Sequence, residues 1–521
     1  MAEFSFVKSA LLQEQRLDSE YYSRKYVANA EKIESAEHVI TLEEIRKKET
    51  PIRRGIDMPI FVDDSASPFM VTIASFDDPG VDFSQLKRVS LEQHESFRGS
   101  HIKPGDLLVA MGGYAGKAAL CPEDTPVSNI GRHTARVSVD TAVADERYIW
   151  AFIRSKIGVL QFERYITGSV QAGINLEDIR AISISLPAQL AQKYIGNKVR
   201  QAEQLRAWAK GLENQLSTLQ DLIPINKPKK TEDKFSTAPL SFLTDNRLDA
   251  RFYENRHLEL AEQFNEDFSK LGVVCRNFKY GASVSADYIS SGGIPFIRGN
   301  ALAPNDINGE DIVQMNNVRL ESLGNSFVEE GDILITRSGS VGVVCDVQEQ
   351  FSGAAYGSFI IKCKIADNNY SPEYLSWFLN SWVGQQQFRR WENGAVQLNI
   401  NIEELSSIYI WSAPIDLQET IKNLLFSQRQ AKRLSKSLTS AAKFLVEALI
   451  EGQLTEQQLI EAQQALDAGN NTLDKTILAQ LTSEGKSADL KPESEANHQP
   501  LFSDLDELYC LLAQANEAAN D

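Results

Sequence analysis

Histidines and cysteines, the residue types that most often hold metals or act as nucleophiles, are few and widely spaced in this chain. A zinc or hydrolytic site needs them at short fixed spacings such as HxxxH or CxxC. Neither spacing occurs among the six histidines and five cysteines, which are His38, His94, His101, His133, His257 and His498, and Cys121, Cys275, Cys345, Cys363 and Cys510. The sequence therefore predicts no metal site and no disulfide framework, and we expect the thiols to stay reduced.

The segment MGGYAGKA at 111–118 is the nearest approach to a phosphate-binding loop. Such a loop begins with glycine and follows its lysine with serine or threonine. Met111 and Ala118 stand at these two positions, so the match fails. We therefore predict a non-catalytic chain without a cofactor of its own, and a cryptic enzyme remains only a minor alternative.

Charge is distributed unevenly along the 521 residues. The net charge is -18, but residues 451–521 contain 14 acidic and 3 basic residues, which leaves 50 basic against 57 acidic residues in the first 450. Global acidity therefore argues only weakly against a locally basic groove. The chain has no apolar run of the roughly 18 residues that a membrane span needs, and MAEFSFVKS has no signal region. We predict a cytoplasmic protein with two or more hydrophobic cores.

An internal repeat runs through most of the chain. RLDSEYY at 16–22 returns as RLDARFY at 247–253, and KPGDLLVAMGGYAGKAAL from Lys103 corresponds to EEGDILITRSGSVGVVCD from Glu329. The offset of about 226 positions then holds up to GSVQAGINLEDI from Gly168 and GAVQLNINIEEL from Gly394. A register kept over so many residues indicates two homologous halves.

Each half has a mixed pattern that ends in a long helix. Short β-rich runs such as DLLVAM and DILITR alternate with segments of helical spacing such as RYIWAFIRSKIGVLQFERY. After Pro187 and Pro414, apolar residues recur in steps of three and four over about 35 residues. The two long helices either pack each on its own domain or, as we favour, pair with each other in antiparallel fashion.

These patterns predict an α+β fold with six segments. A first domain covers 1–186 and a first helix 187–223. The linker 224–239, rich in proline and lysine, precedes a second domain at 240–413 and a second helix at 414–451. The tail 452–521 is predicted to be acidic and partly disordered, with short amphipathic helices.

The repeated segments resemble the DNA-specificity subunits of type I restriction-modification systems. The resemblance rests on GGIPFIRGNAL at 292–302, on PGDLLVAMGGYAGKAALCPEDTPVSNIGRHTARV at 104–137, on GDILITRSGSVGVV at 331–344, and on the two G[SA]VQ stretches that lead into long helices. It implies two tandem target recognition domains, each for one part of a bipartite DNA site, and an antiparallel coiled-coil spacer. It also implies two methyltransferase subunits as partners, which would bind S-adenosylmethionine, and possibly motor-nuclease subunits. No Asn-Pro-Pro-Tyr-like stretch of an adenine methyltransferase occurs in this chain.

Basic and amide side chains in glycine-rich loops are the candidates for DNA contact. Arginine and lysine match guanine in the major groove, and asparagine matches adenine, while neighbouring glycines let the backbone approach phosphates. The candidates in the first half are Arg53, Arg54, Lys117, Arg132 and His133. Those in the second half are Lys279, Arg298, Asn300, Arg337, Ser338 and Ser340.

Two alternatives stay open at this point. An arginine beside a glycine is often only a solvated turn, so any one candidate can lack a base contact. The acidic tail, which the typical relative lacks, also fits a non-catalytic interaction scaffold of a phage-defence or regulatory complex. Residues shared by the halves, such as Gln171 and Gln397 and the two RLD segments, are expected to hold the common fold or a common partner, because the two halves should recognise different bases.

Overall fold

The computed structural model describes residues 16, 18–167, 172–228, 236–244, 247–394, 397–482, 485–486 and 500–520. Leu17, Gln171, residues 229–235 of the predicted linker and part of the tail predicted to be disordered lie outside the described residues. The chain forms two compact units. Unit 1 comprises residues 1–208 and 431–521, and unit 2 comprises residues 209–430. Helices and strands alternate in both, which confirms the α+β class.

Unit 1 contains two four-stranded sheets. Sheet A has the order Arg53–Arg54, Thr134–Val137, Leu107–Ala110, Ala118–Leu120, and its pairings are antiparallel. Sheet B has the order Ser128–Ile130, Phe69–Val71, Arg88–Val89, Phe61–Val62, and its first pair is parallel. Three of the four strands in sheet A are buried along their whole length, so their apolar runs form the interior of the unit.

Unit 2 repeats this arrangement strand for strand. Sheet C has the order Cys275–Tyr280, Ile360–Ile365, Ile333–Thr336, Val344–Asp346. Sheet D has the order Ala355–Tyr356, Ile294–Ile297, Val313–Met315, Tyr288–Ile289, again with a parallel first pair. The remaining strand pairs of the described residues are Val39–Thr41 with Ser183–Ser185, Phe76–Asp77 with Gly80–Val81, Phe268–Lys270 with Tyr409–Trp411, Leu302–Ala303 with Asp306–Ile307, and Leu481–Thr482 with Gly485–Lys486.

Helices cover the sheets in both units. Those of the first half are Arg24–Glu34, Leu42–Ile45, Leu91–Ser96, Glu146–Arg154, Lys156–Tyr165 and Leu176–Arg180. Those of the second half are Asn255–Ala261, Leu271–Val274, Leu320–Leu323, Pro372–Asn380, Trp382–Trp391 and Ile402–Ser406. Short 3-10 turns lie at Ile73–Ser75, Arg98–Ser100, Leu219–Leu222, Leu240–Phe242, Ala250–Tyr253, Gly299–Ala301, Gly309–Asp311, Asn317–Arg319 and Glu349–Phe351. None of the helices described here is long and apolar enough to cross a membrane.

A repeated serine and glycine join two consecutive helices in each unit. Ser155 caps the helix Lys156–Tyr165 by accepting a hydrogen bond from the Gly158 amide at 3.1 Å, and Ser381 accepts one from Gly384 at 3.3 Å. A Cβ atom on Gly158 would lie 2.2 Å from the Phe152 carbonyl oxygen. The turn is therefore too tight for a side chain, which explains why both halves have glycine at this position.

Two long helices follow the two halves. They are Gln189–Thr218, with 30 residues, and Ile415–Ile450, with 36 residues. In unit 1, the Ser435 hydroxyl donates to the Ala202 carbonyl at 2.9 Å. In unit 2, Gln428 donates to Glu213 at 3.3 Å. Segments of both long helices thus touch each other within each unit, in addition to packing on the sheets and helices of that unit.

The tail is folded against unit 1 over much of its described length. Its helices are Glu456–Asp467, Thr472–Leu478 and Leu505–Asn520. We define the tail clamp as Asp474 together with its three partners Lys198, Tyr194 and Tyr509. The Lys198 Nζ lies 2.6 Å from Asp474 Oδ2, and the Tyr194 hydroxyl donates to Oδ1 at 2.6 Å. Tyr509 donates to the same carboxylate. Lys198 and Asp474 are 0% and 1% exposed.

Candidate nucleic-acid interface

Three loops meet at one edge of unit 2. The segment after the strand Ile333–Thr336 bonds to the loop at 357–359, since the Arg337 amide donates to the Phe359 carbonyl at 2.8 Å. It also bonds to the G[SA]VQ segment, because the Ile400 amide donates to the Arg337 carbonyl at 2.9 Å and Ser338 pairs with Asn399. The backbone bonds therefore fix the position from which the Arg337 side chain leaves the loop.

Arg298 and Arg337 lie on the two sides of the 357–359 loop. Arg298 follows the strand Ile294–Ile297, whose last carbonyl accepts from the Gly357 amide at 3.0 Å. Arg337 donates from Nη1 to the Ser358 carbonyl at 3.5 Å. The Nε atom of each arginine is buried and has no hydrogen-bond partner among the described residues. The Arg337 side chain thus contacts this loop, Arg298 follows the strand that bonds to it, and each has an Nε donor that no described acceptor satisfies.

An aromatic ring supports each of these arginines. The Arg337 guanidinium lies 4.6 Å from the ring centre of Tyr280, and that of Arg298 lies 5.6 Å from the ring centre of Tyr288. Both tyrosines are partly exposed. A cation on an aromatic face keeps a preferred orientation while its other donors remain available. Sequence reasoning missed these tyrosines because they lie on other strands, 57 and 10 positions before their arginines.

The other candidates of unit 2 have more varied positions. Asn300 is exposed on the turn Gly299–Ala301, where the neighbouring Gly299 faces Phe359. Ser338 is half-buried through its pairing with Asn399. Ser340 is exposed, and its carbonyl accepts from the Thr336 hydroxyl. Lys279 is exposed on the edge strand of sheet C, next to Tyr280. Asn300, Ser338, Arg298 and Arg337 therefore gather around the 357–359 loop.

Unit 1 builds the same three loops with different side chains. The Met111 amide donates to the His133 carbonyl at 2.7 Å, the Ile174 amide donates to the Met111 carbonyl at 2.8 Å, and Gly112 pairs with Gly173. Each of these contacts has its counterpart 226 positions later in unit 2. Met111 thus occupies the position of Arg337, and Thr72 occupies that of Arg298.

The DNA-contact candidates of unit 1 are partly engaged in hydrogen bonds within the unit. Lys117 donates from Nζ to the Ile73 carbonyl at 3.1 Å, so it ties the turn Ile73–Ser75 to its own loop. Arg132 and His133 are both exposed on the 131–133 loop, and Arg132 Nε donates to His133 Nε2 at 3.0 Å. Tyr114, which we did not predict, is 65% exposed on the same edge and lies 5.3 Å from Lys117 Nζ.

Arg53 and Arg54 lie on the edge strand of sheet A, at the positions that Lys279 and Tyr280 occupy in sheet C. The Arg53 side chain lies against Gly99, whose Cβ position is 3.1 Å from it. Arg54 forms an exposed ion pair with Asp57 at 3.2 Å. An exposed pair of this kind is weak in water, so Arg54 can exchange Asp57 for a phosphate at little cost.

The repeated RLD segments form internal corners. Arg247 donates to the Trp391 carbonyl at 2.7 Å and to Asp249 at 2.7 Å, and the Phe252 amide donates to Asp249 at 3.1 Å. The hydrogen bond from Arg247 lowers the pKa of Asp249. Arg16 makes the matching contact with Asp18 at 3.2 Å in unit 1. These shared residues are therefore engaged in holding each unit together.

The repeated Gly-Asp pair has a similar structural role. Asp106 accepts from the Lys103 amide at 2.8 Å, and Asp332 accepts from the Glu329 amide at 2.9 Å. Each carboxylate closes the turn that leads into the central strand of its sheet. Burial raises the pKa of Asp106. Asp332 also pairs with Lys362 at 2.8 Å, and these contacts fix the start of the strand whose other end leads into the candidate loop.

Comparison with known proteins gives one curated relative. Over 148 residues, which are 28% of this chain, the sequence is 26% identical to the type I restriction enzyme EcoBI specificity subunit of Escherichia coli. The match spans only 30% of the length of that relative. No protein-family model matches the chain.

Solved structures give further similarities. The crystal structure of the type I restriction-modification S subunit from M. genitalium matches with a TM-score of 0.41 and 13% identity, covering 81% of this chain and 97% of that one. The HsdS subunit from Thermoanaerobacter tengcongensis matches with a TM-score of 0.26 and 16% identity, covering 80% and 97%. Over the part of the chain that it matches, the curated relative confirms the resemblance that the repeated segments predict, to the specificity subunits of type I restriction-modification systems.

Proposed function

We propose that this chain is a non-catalytic DNA-specificity subunit of a type I restriction-modification complex, which binds a bipartite site in double-stranded DNA. The observation that carries the proposal is the pair Arg298 and Arg337, whose segments both bond to the 357–359 loop and whose guanidinium groups lie beside the exposed rings of Tyr288 and Tyr280. The ring orients each guanidinium group while its outer donors stay available to a ligand. Guanine O6 and N7 in the major groove are acceptors that an arginine fork matches.

The two units supply a reason for a bipartite site. They share the backbone bonds of three loops but differ in the side chains that those loops present, with Met111 and Thr72 in unit 1 at the positions of Arg337 and Arg298 in unit 2. Two units with the same loop backbone but different side-chain donors and acceptors are expected to recognise two different short DNA sequences. The eleven sequence candidates are proposed as contacts of this kind, with phosphate contacts more numerous than base contacts.

The long helices are proposed as the spacer that fixes the unread gap. Position 202 of the first helix meets position 435 of the second, and position 213 meets position 428. The partner positions thus decrease as the first helix advances, which supports an antiparallel pair. In such an arrangement, the length of the helices sets the separation of the half-sites.

Catalysis is assigned to partner chains. We propose two methyltransferase subunits, which bind S-adenosylmethionine and methylate adenine, and motor-nuclease subunits that cut unmethylated DNA. An adenine has to leave the base stack to reach such a pocket. The proposed place of action is the cytoplasm.

The first test is single-molecule sequencing of DNA from a host that expresses this chain with its neighbouring genes, compared with a host that lacks only this chain. We expect methylated adenines at one bipartite motif with a fixed gap, and we expect them to vanish without the chain. If the neighbouring genes are active and no motif depends on this chain, the proposal fails and the interaction scaffold becomes the better explanation.

The spacer has its own test. Seven residues inserted into both long helices lengthen each by about 10 Å at 1.5 Å per residue, which corresponds to about 3 base pairs at 3.4 Å each. The gap in the methylated motif should grow by that amount while both half-sites stay the same. The same seven residues inserted at position 230 serve as the control and should leave the gap unchanged. An unchanged gap in the helix variant would contradict the spacer.

A further inference from the structure

Four arginines surround a buried histidine in unit 2. We define the arginine cluster as Arg251, Arg256, Arg389 and Arg390, which all raise the local positive potential at His257. His257 is 0% exposed, and neither of its ring nitrogens has a hydrogen-bond partner among the described residues. Burial, with the arginine charges adding to it, lowers the pKa of His257 to about 3.

The arginine cluster is only partly neutralised within unit 2. Arg251 pairs with Glu392, and Arg256 pairs with Glu254 at 2.7 Å. Arg390 donates to the Phe252 carbonyl and lies over that ring at 4.3 Å. Arg389 is exposed at the end of the helix Trp382–Trp391, and no described residue forms a hydrogen bond or an ion pair with it. Among the described ion pairs, two carboxylates thus pair with two of the four guanidinium groups.

The same place in unit 1 shows what the arginine cluster lacks. Counted from the two RLD segments, Tyr26 corresponds to His257 and Lys25 corresponds to Arg256. The internal offset pairs Glu163 with Arg389. In unit 1 the Tyr26 hydroxyl donates to Glu163 at 3.4 Å, and Lys25 pairs with the same carboxylate at 3.5 Å. Unit 2 has Arg389 where unit 1 has this carboxylate, so the corresponding position of unit 2 supplies a cation that an external anion can pair with.

Unit 1 also differs at the next position of the cluster. Glu20 stands where unit 2 has Arg251, again counted from the RLD segments. Two acidic positions of unit 1 are thus basic in unit 2. The halves share the corner itself, so the change affects the charge of its surface and leaves the fold as it is.

The position of the arginine cluster beside the candidate interface indicates which kind of anion it binds. The helix that ends with Arg389 and Arg390 continues within a few residues to Asn393, which exchanges two backbone hydrogen bonds of 2.8 Å with Asn399. Asn399 in turn pairs with Ser338 of the candidate interface. A polyanion that runs along this edge reaches the arginine cluster next, and guanidinium groups bind phosphate oxygens through paired hydrogen bonds.

We propose that Arg251, Arg256 and Arg389 contact the DNA backbone phosphates beside the half-site of unit 2, and that unit 1 has no equivalent contact. This inference rests on the proposed function, since it extends the same interface. It implies that unit 2 supplies more of the sequence-independent affinity than unit 1.

The test compares the salt dependence of DNA binding by the purified full chain and two variants. The variant Arg256→Gln with Arg389→Gln removes two of the proposed contacts. The control Lys25→Gln removes the equivalent cation of unit 1 and leaves Glu163 with its hydrogen bond from Tyr26. The probes are a duplex with the bipartite site found by sequencing and a scrambled duplex of the same length. Fluorescence anisotropy gives Kd at several salt concentrations.

Two lost phosphate contacts should reduce the slope of log K against log salt by about 1.8, at about 0.9 for each contact. We expect this reduction on both duplexes with an unchanged preference for the specific one, and no reduction for Lys25→Gln. An unchanged slope overturns the inference, and so does a variant that keeps its DNA affinity but loses a protein partner. If the unaltered chain shows no preference for the specific duplex, the proposed function fails, and the slopes on the scrambled duplex still decide whether the arginine cluster binds phosphate.

Discussion

The tail clamp makes a quantitative prediction for the stability of unit 1. Replacing Asp474 by alanine leaves the Lys198 ammonium buried without a counter-charge, and two tyrosine hydroxyls lose their acceptor. Removing one partner of a buried ion pair costs about 3–5 kcal/mol. We therefore expect Asp474→Ala to lower the free energy of unfolding of unit 1 by about that amount. Urea unfolding of the full chain, monitored by circular dichroism, measures this free energy.

Two further variants separate the tail clamp from a general effect of charge. Lys193 and Asp467 form an exposed ion pair at 2.9 Å between the same helix and the tail, so Asp467→Ala should cost less than about 1 kcal/mol. Lys198→Met combined with Asp474→Leu removes both buried charges and should recover most of the lost stability. The reasoning is refuted if Asp474→Ala costs no more than Asp467→Ala.

The pH dependence of the tail clamp follows from its carboxylate. Burial alone raises the pKa of Asp474, but the Lys198 charge and the hydrogen bonds from Lys198, Tyr194 and Tyr509 outweigh burial and hold the pKa below its ordinary value of 3.8. A lowered pKa means that the stabilisation is present above the ordinary value and is lost as the pH falls through the lower, folded value. Below pH 3.8, the free energy of unfolding of Asp474→Ala should therefore decrease less with falling pH than that of the unaltered chain.

Three other predictions concern unit 2. Arg298→Gln and Arg337→Gln should each weaken discrimination against a wrong base by about 1–3 kcal/mol, and equal binding of matched and mismatched duplexes by the unaltered chain would contradict this. Gly384→Ala places a Cβ atom 2.3 Å from the Leu379 carbonyl oxygen and should destabilise the chain. Gly211 lies in a helix with open space around it, so Gly211→Ala should stabilise the chain by up to about 1 kcal/mol. Equal melting temperatures of the two variants would refute this difference. Because the pKa of His257 is lowered to about 3, the unfolded state binds its proton first as the pH falls below 6.5, so stability should decrease by up to about 1.4 kcal/mol per pH unit down to about pH 3. His257→Leu should flatten this part of the stability profile, and an identical profile would count against the buried neutral ring.

The sequence alone predicts the frame of both units well, because the repeated residues act locally. The Gly-Asp turn and the serine cap before Gly158 or Gly384 depend on contacts within a few residues. The RLD corner combines the local pair of its arginine and aspartate with a distant contact to the Trp391 carbonyl in unit 2. The first half has SASPFMVTIAS at 65–75 where the second half has GGIPFIRGNAL at 292–302, and the two segments share few residues. Their structures are nevertheless equivalent, because Phe69–Val71 leads into a 3-10 turn, as Ile294–Ile297 does. Burial requires only apolar residues at those positions, so the identities of the residues could diverge.

The details that the sequence did not predict depend on contacts between distant positions. Asp474 meets Lys198 across 276 positions, and a search for local patterns sees only an acidic, polar tail. The rings beside Arg298 and Arg337 come from strands that lie two places away in their sheets. The DNA-contact candidates themselves remain predictions, since surface side chains carry no periodic signal that distinguishes a base contact from a solvated turn.

The docking of the tail on unit 1 also constrains the order of events during synthesis. Unit 1 combines residues before 209 with residues after 430, so the ribosome must make all of residues 209–430 before the last part of unit 1 emerges. At about 5–20 residues per second, the nascent Lys198 waits on the order of 15–60 s for its partner Asp474 to be translated. Unit 2 can collapse during this interval, whereas unit 1 acquires the helices of the tail only afterwards. Nonsense mutations late in the gene should therefore harm the half of the protein that was translated first.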